Sequence, residues 1–152
     1  MRPRLALPCL LLTITPVVTG VGGIGTSSAL AANTAPPAVR QIMATARHER
    51  GVPYVWGGTS PRGFDCSGYT RWVFARHHKR LPRTAEQQWQ ATRHLPAGAA
   101  RAGDLVFFGR PGAVGHVAIY DGHGGMWGSP HRGAAVRHER LWPQPHMFAR
   151  VR

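Results

Sequence analysis

Cysteine is scarce in this 152-residue chain: there are two, Cys9 and Cys66, and acidic residues number only six. So few cysteines exclude a disulfide-framed scaffold, the usual support of small exported domains, so the fold must rest on a packed apolar core. Lysine is nearly missing too, since Lys79 is the only one among 19 basic residues and the rest are arginine. No apolar run reaches the roughly 20 residues that a membrane-spanning helix needs. The longest, Leu5 to Val18, is broken by Pro8 and Pro16, which also tell against a crooked anchor.

That run has a different meaning in its context. Arg2 and Arg4 precede it, small residues follow from Gly20 to Ala32, and Ala29-Leu30-Ala31 forms an A-x-A cleavage pattern. Residues 1–31 therefore read as an export signal removed from the mature protein. Residues 32–37 follow as a short linker, and residues 38–152 form the domain. About 120 residues are enough for one core and not two. Cys9 falls within the signal, which leaves Cys66 as the only mature thiol. Without Arg2 and Arg4, 17 basic residues face six acidic ones. Such a balance suits a polyanionic neighbour. The arginines are spread along the chain and no nucleic-acid motif stands out, so export favours the anionic polymers of a bacterial envelope as partners over nucleic acid.

Apolar periodicity changes along the domain. Val39, Ile42, Met43 and Ala46 follow helical spacing from Ala38, with Gly51 placed to cap the end. Residues 52–65 carry Pro53, Gly57-Gly58, Pro61 and Gly63 and read as loop. A second helix is expected from Cys66 to Lys79, where Tyr69, Trp72, Val73 and Arg76 recur at helical intervals. A third starts at Thr84, whose Thr84-Ala85-Glu86-Gln87 fits a capping box. After Gly98 come short alternating runs: 105–108, 114–120, 126–129, 134–138 and 147–151. They read as strands of an antiparallel sheet. Helices first and strands afterwards predict an α+β domain with its helices packed on one side of the sheet.

Cys66 stands where a Gly/Pro loop enters a helix. Unpaired N–H groups at a helix start favour a thiolate and can hold an oxyanion, so the expected thiol is more acidic than an ordinary cysteine and alkylates readily at pH 6. Gly68 leaves room for a substrate in the first turn, and Trp72, Val73 and Phe74 anchor the helix behind. A free cysteine is more often a small buried hydrophobe, but the polar flanks Asp65 and Ser67 weigh towards reactivity. Of nine histidines, His116 opens an alternating strand, with Ala118 and Tyr120 on its face, and is expected to look towards the thiol-bearing helix. It is the best available base. No Cys/His spacing suggests a zinc site, and no cofactor is implied.

Pro53-Tyr54-Val55-Trp56-Gly57-Gly58, Phe64-Asp65-Cys66-Ser67-Gly68, Leu81-Pro82-Arg83-Thr84 followed by Gln87 or Gln88, Ala102-Gly103-Asp104-Leu105-Val106-Phe107-Phe108 and His116-Val117-Ala118-Ile119-Tyr120 together resemble the NlpC/p-sixty family of bacterial cell-wall cysteine peptidases. The resemblance implies a papain-like fold in circularly permuted order and hydrolysis of amide bonds in peptidoglycan stem peptides. It makes Cys66 the nucleophile, His116 the base, and Tyr54, Asp65 and Ser67 substrate-binding residues; Trp56 and Phe107 are expected to serve packing, as aromatic residues at strand or loop positions usually do. The family's third catalytic residue, a polar group that orients the histidine, falls by count on Gly128. His131 is the candidate replacement, although strand alternation points it away unless Pro130 ends the strand. Two other readings stay open: an amidase or acyltransferase on the same fold, and a wall-binding module whose catalysis has decayed.

Overall fold

The computed structural model describes residues 35–152. The export segment 1–31 and residues 32–34 of the linker lie outside the described residues. Helix α1 spans Pro37–His48, with proline at its first position, where a fixed φ and a missing N–H do no harm. It buries Ile42, Met43 and Ala46. The helix stops before Gly51, which takes φ +89° in the following turn and donates its N–H to Val136 O at 2.9 Å. A two-residue hairpin, β1 (Thr59–Ser60) with β2 (Gly63–Phe64), forms within the expected loop.

Helix α2 runs Cys66–Ala75, shorter than its periodicity suggests. His78 adopts φ 58°, and the Lys79 N–H bonds back to Phe74 O at 3.0 Å, a left-handed closure that halts the helix. Helix α3, Ala85–Ala91, carries the expected capping box, Thr84 Oγ1 accepting from Gln87 N–H while the Gln87 side chain accepts from Thr84 N–H.

Six antiparallel strands make the main sheet: β3 (Arg93–Leu95), β4 (Leu105–Arg110), β5 (Ala113–Tyr120), β6 (Gly125–Gly128), β7 (Arg137–Arg140) and β8 (His146–Arg150), in the spatial order β3-β8-β4-β5-β6-β7. Alternation gives the sheet two apolar faces. Leu105, Phe107, Val117, Ile119 and Trp127 join α1, α2 and α3 in the larger core. Val106, Phe108, Ala118, Met126 and Phe148 form a second cluster, covered by Leu95, Tyr120, Leu141 and Trp142. The α+β architecture is as expected, with two differences. The strand expected at 134–138 lies three residues later, because residues 134–136 pair instead with the loop after α1: Val136 N–H donates to Val52 O at 2.8 Å and Tyr54 N–H to Ala134 O at 2.9 Å. The edge strand β3 has a single apolar residue and gives no alternation to read. Among the described residues no helix is long and apolar enough to cross a membrane.

Candidate active site

Asp65 begins the site. Its backbone is extended (φ −90°, ψ 178°), and its carboxylate caps α2 by accepting from Gly68 N–H at 2.7 Å. Asp at this position satisfies donors that the helix leaves unpaired. The same carboxylate accepts from Gly57 N–H at 3.0 Å, the Ser67 hydroxyl at 3.3 Å and two Arg83 nitrogens at 3.1 and 2.5 Å. Arg83 also donates to Ser67 Oγ at 3.0 Å. Behind them Gln88, wholly buried, donates to Ser67 O and Pro82 O at 2.9 and 3.0 Å and accepts from the Thr70 hydroxyl at 2.7 Å. Cys66 sits at the head of this network, on the first residue of α2. Neither Arg83 nor the choice of Gln88 over Gln87 was assigned from sequence. Both stand in the Leu81-Pro82-Arg83-Thr84 segment or just after it, and the signal for a buried role was one unexplained arginine beside a capping box.

Gly68 does not leave room for substrate. A Cβ there would stand 2.0 Å from Gly58 O, and one on Gly58 would stand 2.4 Å from Gly63 O. Gly68 instead lets the loop's backbone press directly on the helix's first turn, and Gly58 lets the loop fold tightly on itself. Trp56 is 74% exposed and packs into no core, whereas Phe107 is buried in the larger one. A loop squeezed this tightly against α2 turns its bulky side chain outwards.

His116 lies on the face opposite to the one expected. Val117 and Ile119 face the helices, while His116 and Ala118 look to the second apolar cluster. The helix start meets β5 by another route: the backbone N–H of Val117, the residue after His116, acts on the Cys66 sulfur and lowers the pKa of its thiol. The imidazole is buried and Trp142 stacks on it, with ring centroids 4.6 Å apart and planes 29° apart; Phe108 lies 5.8 Å away at 46°. Its Nε2 is buried with no hydrogen-bond partner among the described residues. A Cβ on Gly128 would stand 3.9 Å from that nitrogen. Gly128 is therefore the neighbour of Nε2 and offers it nothing. His131 is exposed, its Nδ1 hydrogen-bonded to Arg132 O at 2.8 Å, and it reaches His116 only as a like charge.

Burial decides both ionisations. It pushes the Cys66 thiol up; the N–H groups of Val117, Ser67 and Cys66 pull it down without cancelling that, and the Asp65 carboxylate adds to the rise. Burial, then His131, lowers His116 to about 4. Both groups are thus neutral at rest, contrary to the acidic thiol expected from the helix start. Tyr54 shares the electrostatic neighbourhood of Cys66, and its hydroxyl is raised by burial and then by Cys66 and Asp65. Asp65 and Ser67 are buried with their polar atoms committed to the network above. Among the described residues no group of three His, Cys, Asp or Glu side chains is placed to hold a metal ion.

A family model described as the NlpC/P60 family matches residues 51–150. Over 92 residues the chain is 48% identical to the bifunctional muramidase/DL-endopeptidase CwlT of Bacillus subtilis, covering 58% of this chain and 28% of that protein. Over 102 residues it is 40% identical to the peptidoglycan endopeptidase RipB of Mycobacterium tuberculosis, covering 59% and 42%. The chain thus spans less than half the length of either relative. The crystal structure of the NlpC/p60 domain of the peptidoglycan hydrolase SagA aligns with a TM-score of 0.71 at 36% identity, covering 74% of this chain and 98% of that one.

Proposed function

The chain belongs to the NlpC/P60 family, and from that premise we propose that it is a cysteine endopeptidase of the bacterial cell wall, hydrolysing amide bonds in peptidoglycan stem peptides. The observation that carries the reading is a thiol on the first residue of a helix, within the influence of the N–H that follows a buried, neutral imidazole. Cys66 and His116 act as a dyad. With both groups neutral at rest, His116 removes the thiol proton as the sulfur attacks the amide carbonyl, giving a tetrahedral oxyanion and an imidazolium. The N–H groups of Cys66 and Ser67, which already point at the sulfur, stabilise that oxyanion with the Tyr54 hydroxyl. The imidazolium returns its proton to the departing amine. Water, deprotonated by the same imidazole, then opens the thioester and restores the thiol. Tyr54 meets the substrate, and Asp65 and Ser67 contribute by fixing the loop that carries the sulfur. Residues 1–31 direct the enzyme out of the cytoplasm, and its arginine excess holds it near anionic wall polymers.

Gly128 favours a second reading, a wall-binding module that has lost catalysis, because the buried Nε2 has no polar neighbour there. One experiment separates them: incubate the purified protein and its Cys66→Ala variant with isolated stem peptides and follow new amines by mass spectrometry. New amines from wild type alone are expected. None from folded wild type would establish the decayed module, transfer of the acyl group to an added amine would establish the acyltransferase, and equal release by Cys66→Ala would overturn the mechanism.

A further inference from the structure

A buried base needs its ring held in one orientation, yet among the described residues nothing polar holds His116. Its Nε2 has no partner, and the residue beside that nitrogen is Gly128. What the imidazole does have is aromatic surface. Trp142 lies against it at 4.6 Å and 29°, and Phe108 contacts both rings, 5.8 Å from His116 and 4.8 Å from Trp142. We propose that Trp142 is the positioning residue for His116, its indole face fixing the imidazole plane in place of the polar side chain that Gly128 does not supply. The proposal rests on His116 being the base of the reaction above.

Three features suit Trp142 to that role. It comes from the β7–β8 connection, in Leu141-Trp142-Pro143-Gln144-Pro145, where two prolines restrict the backbone. Its neighbour Leu141 ties the connection down by donating its N–H to Gly124 O at 2.9 Å, and both residues pack on the sheet's second apolar cluster. The indole thus approaches the imidazole from a braced loop. Its π face also attracts the positive charge that appears on the ring only when the thiol proton arrives, an attraction that strengthens where water is excluded. Stacking therefore selects a ring plane and favours the charged form of the ring at the moment catalysis requires it. A purely packing role would need only volume over Phe108 and Ala118.

Volume and aromatic face can be separated. Trp142→Phe keeps a face and Trp142→Leu keeps apolar bulk without one. The expected result is Trp142→Phe within about threefold of wild-type kcat, and Trp142→Leu down by about tenfold or more with KM within twofold, since a slightly misplaced catalytic group lowers turnover without loosening binding. Side-chain NMR of isotopically labelled His116 in the same intact proteins should show one ring orientation in wild type and Trp142→Phe, and exchange between orientations in Trp142→Leu. If Trp142→Leu fails to fold, Trp142→Met, flexible and apolar, makes the same comparison. Retained kcat with a single His116 orientation in the aliphatic variant would overturn the proposal, as would a raised KM with kcat unchanged, which would make Trp142 a substrate contact. If wild type hydrolyses no wall peptide, the endopeptidase reading fails, and the NMR comparison alone decides whether Trp142 orients the ring.

Discussion

Around Cys66 the chain is held by charge and hydrogen bonds: Asp65 caps the helix, Arg83 grips the Asp65 carboxylate, and buried Gln88 secures Ser67 O and Pro82 O. Around His116 there is a stacked indole, a tilted phenyl ring and a glycine, with one buried ring nitrogen left unpaired. The two halves of the site thus differ in what they constrain. A network of directional bonds fixes both the position and the rotation of the residue it surrounds. A stacked face fixes a plane and leaves rotation within that plane loosely held, and it does not choose which ring nitrogen carries the hydrogen.

The largest expected effect falls on the two groups proposed to react, Cys66 and His116, where the halves meet. Cys66→Ala and His116→Ala should each lower kcat/KM on a cleavable wall peptide by about 10³-fold or more, and the double variant should be scarcely worse, because a nucleophile and its base lose function together. Additive losses in steady-state assays would mean that the imidazole is not serving the thiol.

Next comes the polar half. Asp65→Ala removes a helix cap and leaves Arg83 and the N–H of Gly57 without their carboxylate. A lost cap contributes about 1 kcal/mol and lost charge-assisted bonds about as much each, so urea unfolding should show a loss of about 3 kcal/mol. Asp65→Asn keeps the cap and part of the Arg83 contact and should lose roughly 1 kcal/mol. Equal losses in the two variants would mean that the charge of the carboxylate, and not the shape and cap that Asn preserves, holds the thiol loop.

How much of this was legible follows the same division. Asp65 and Cys66 are adjacent in the chain, so the loop, the cap and the thiol at the helix start are visible in a short run of letters. The Thr84–Gln87 box is equally local. His116 is a readable candidate because it stands in an alternating run, but it is the fourth residue of β5 and not its opening, and it occupies the other face, since alternation gives two faces without saying which one meets a helix. Trp142 went unassigned for a further reason: its contact with His116 crosses 26 positions and depends on where the last loop folds back. Arg83 stands in a motif without a readable role, for a partly buried ion pair leaves no periodic trace. The acidic thiol expected from the helix start was half right in its physics, as the N–H groups do lower the pKa, but burial outweighs them.

The apolar half should announce itself through pH. His116 titrates at about 4 in the folded protein against an ordinary 6.5. Between those values the unfolded chain binds a proton that the folded one refuses, so this contribution is complete above pH 6.5 and is lost as pH falls towards 4. The full loss is on the order of 3 kcal/mol. Urea midpoints of wild type should therefore fall from pH 7 to pH 4.5 by more than those of His116→Phe. Parallel falls would show that the imidazole is not buried as a neutral ring. Iodoacetamide should likewise alkylate Cys66 at pH 6 more slowly than a model thiol, because the thiol is raised.

The smallest effect expected is the most informative about the contrast, and it concerns Gly128. No positive φ reserves this position for glycine; a Cβ here would meet the Ala118 Cβ at 3.2 Å and stand 3.9 Å from His116 Nε2. Gly128→Ala adds crowding alone and should lower stability by about 1 kcal/mol with little change in kcat. Gly128→Asn adds the same crowding together with an amide oxygen beside Nε2. That oxygen can accept from an Nε2–H, which would select the tautomer whose Nδ1 is ready to take a proton and would stop rotation within the ring plane. In serine proteases the loss of such an orienting group lowers turnover by up to about 10⁴. Here the indole already holds the plane, so only the in-plane and tautomer part remains to be gained, and a rise of a few-fold in kcat over Gly128→Ala is expected at pH 7. The gain should be larger in a Trp142→Leu background, where the amide would be the ring's only support. If Gly128→Asn and Gly128→Ala have equal kcat in both backgrounds, the unpaired nitrogen is no handicap, and the aromatic half of the site already holds its base as firmly as the polar half holds its nucleophile.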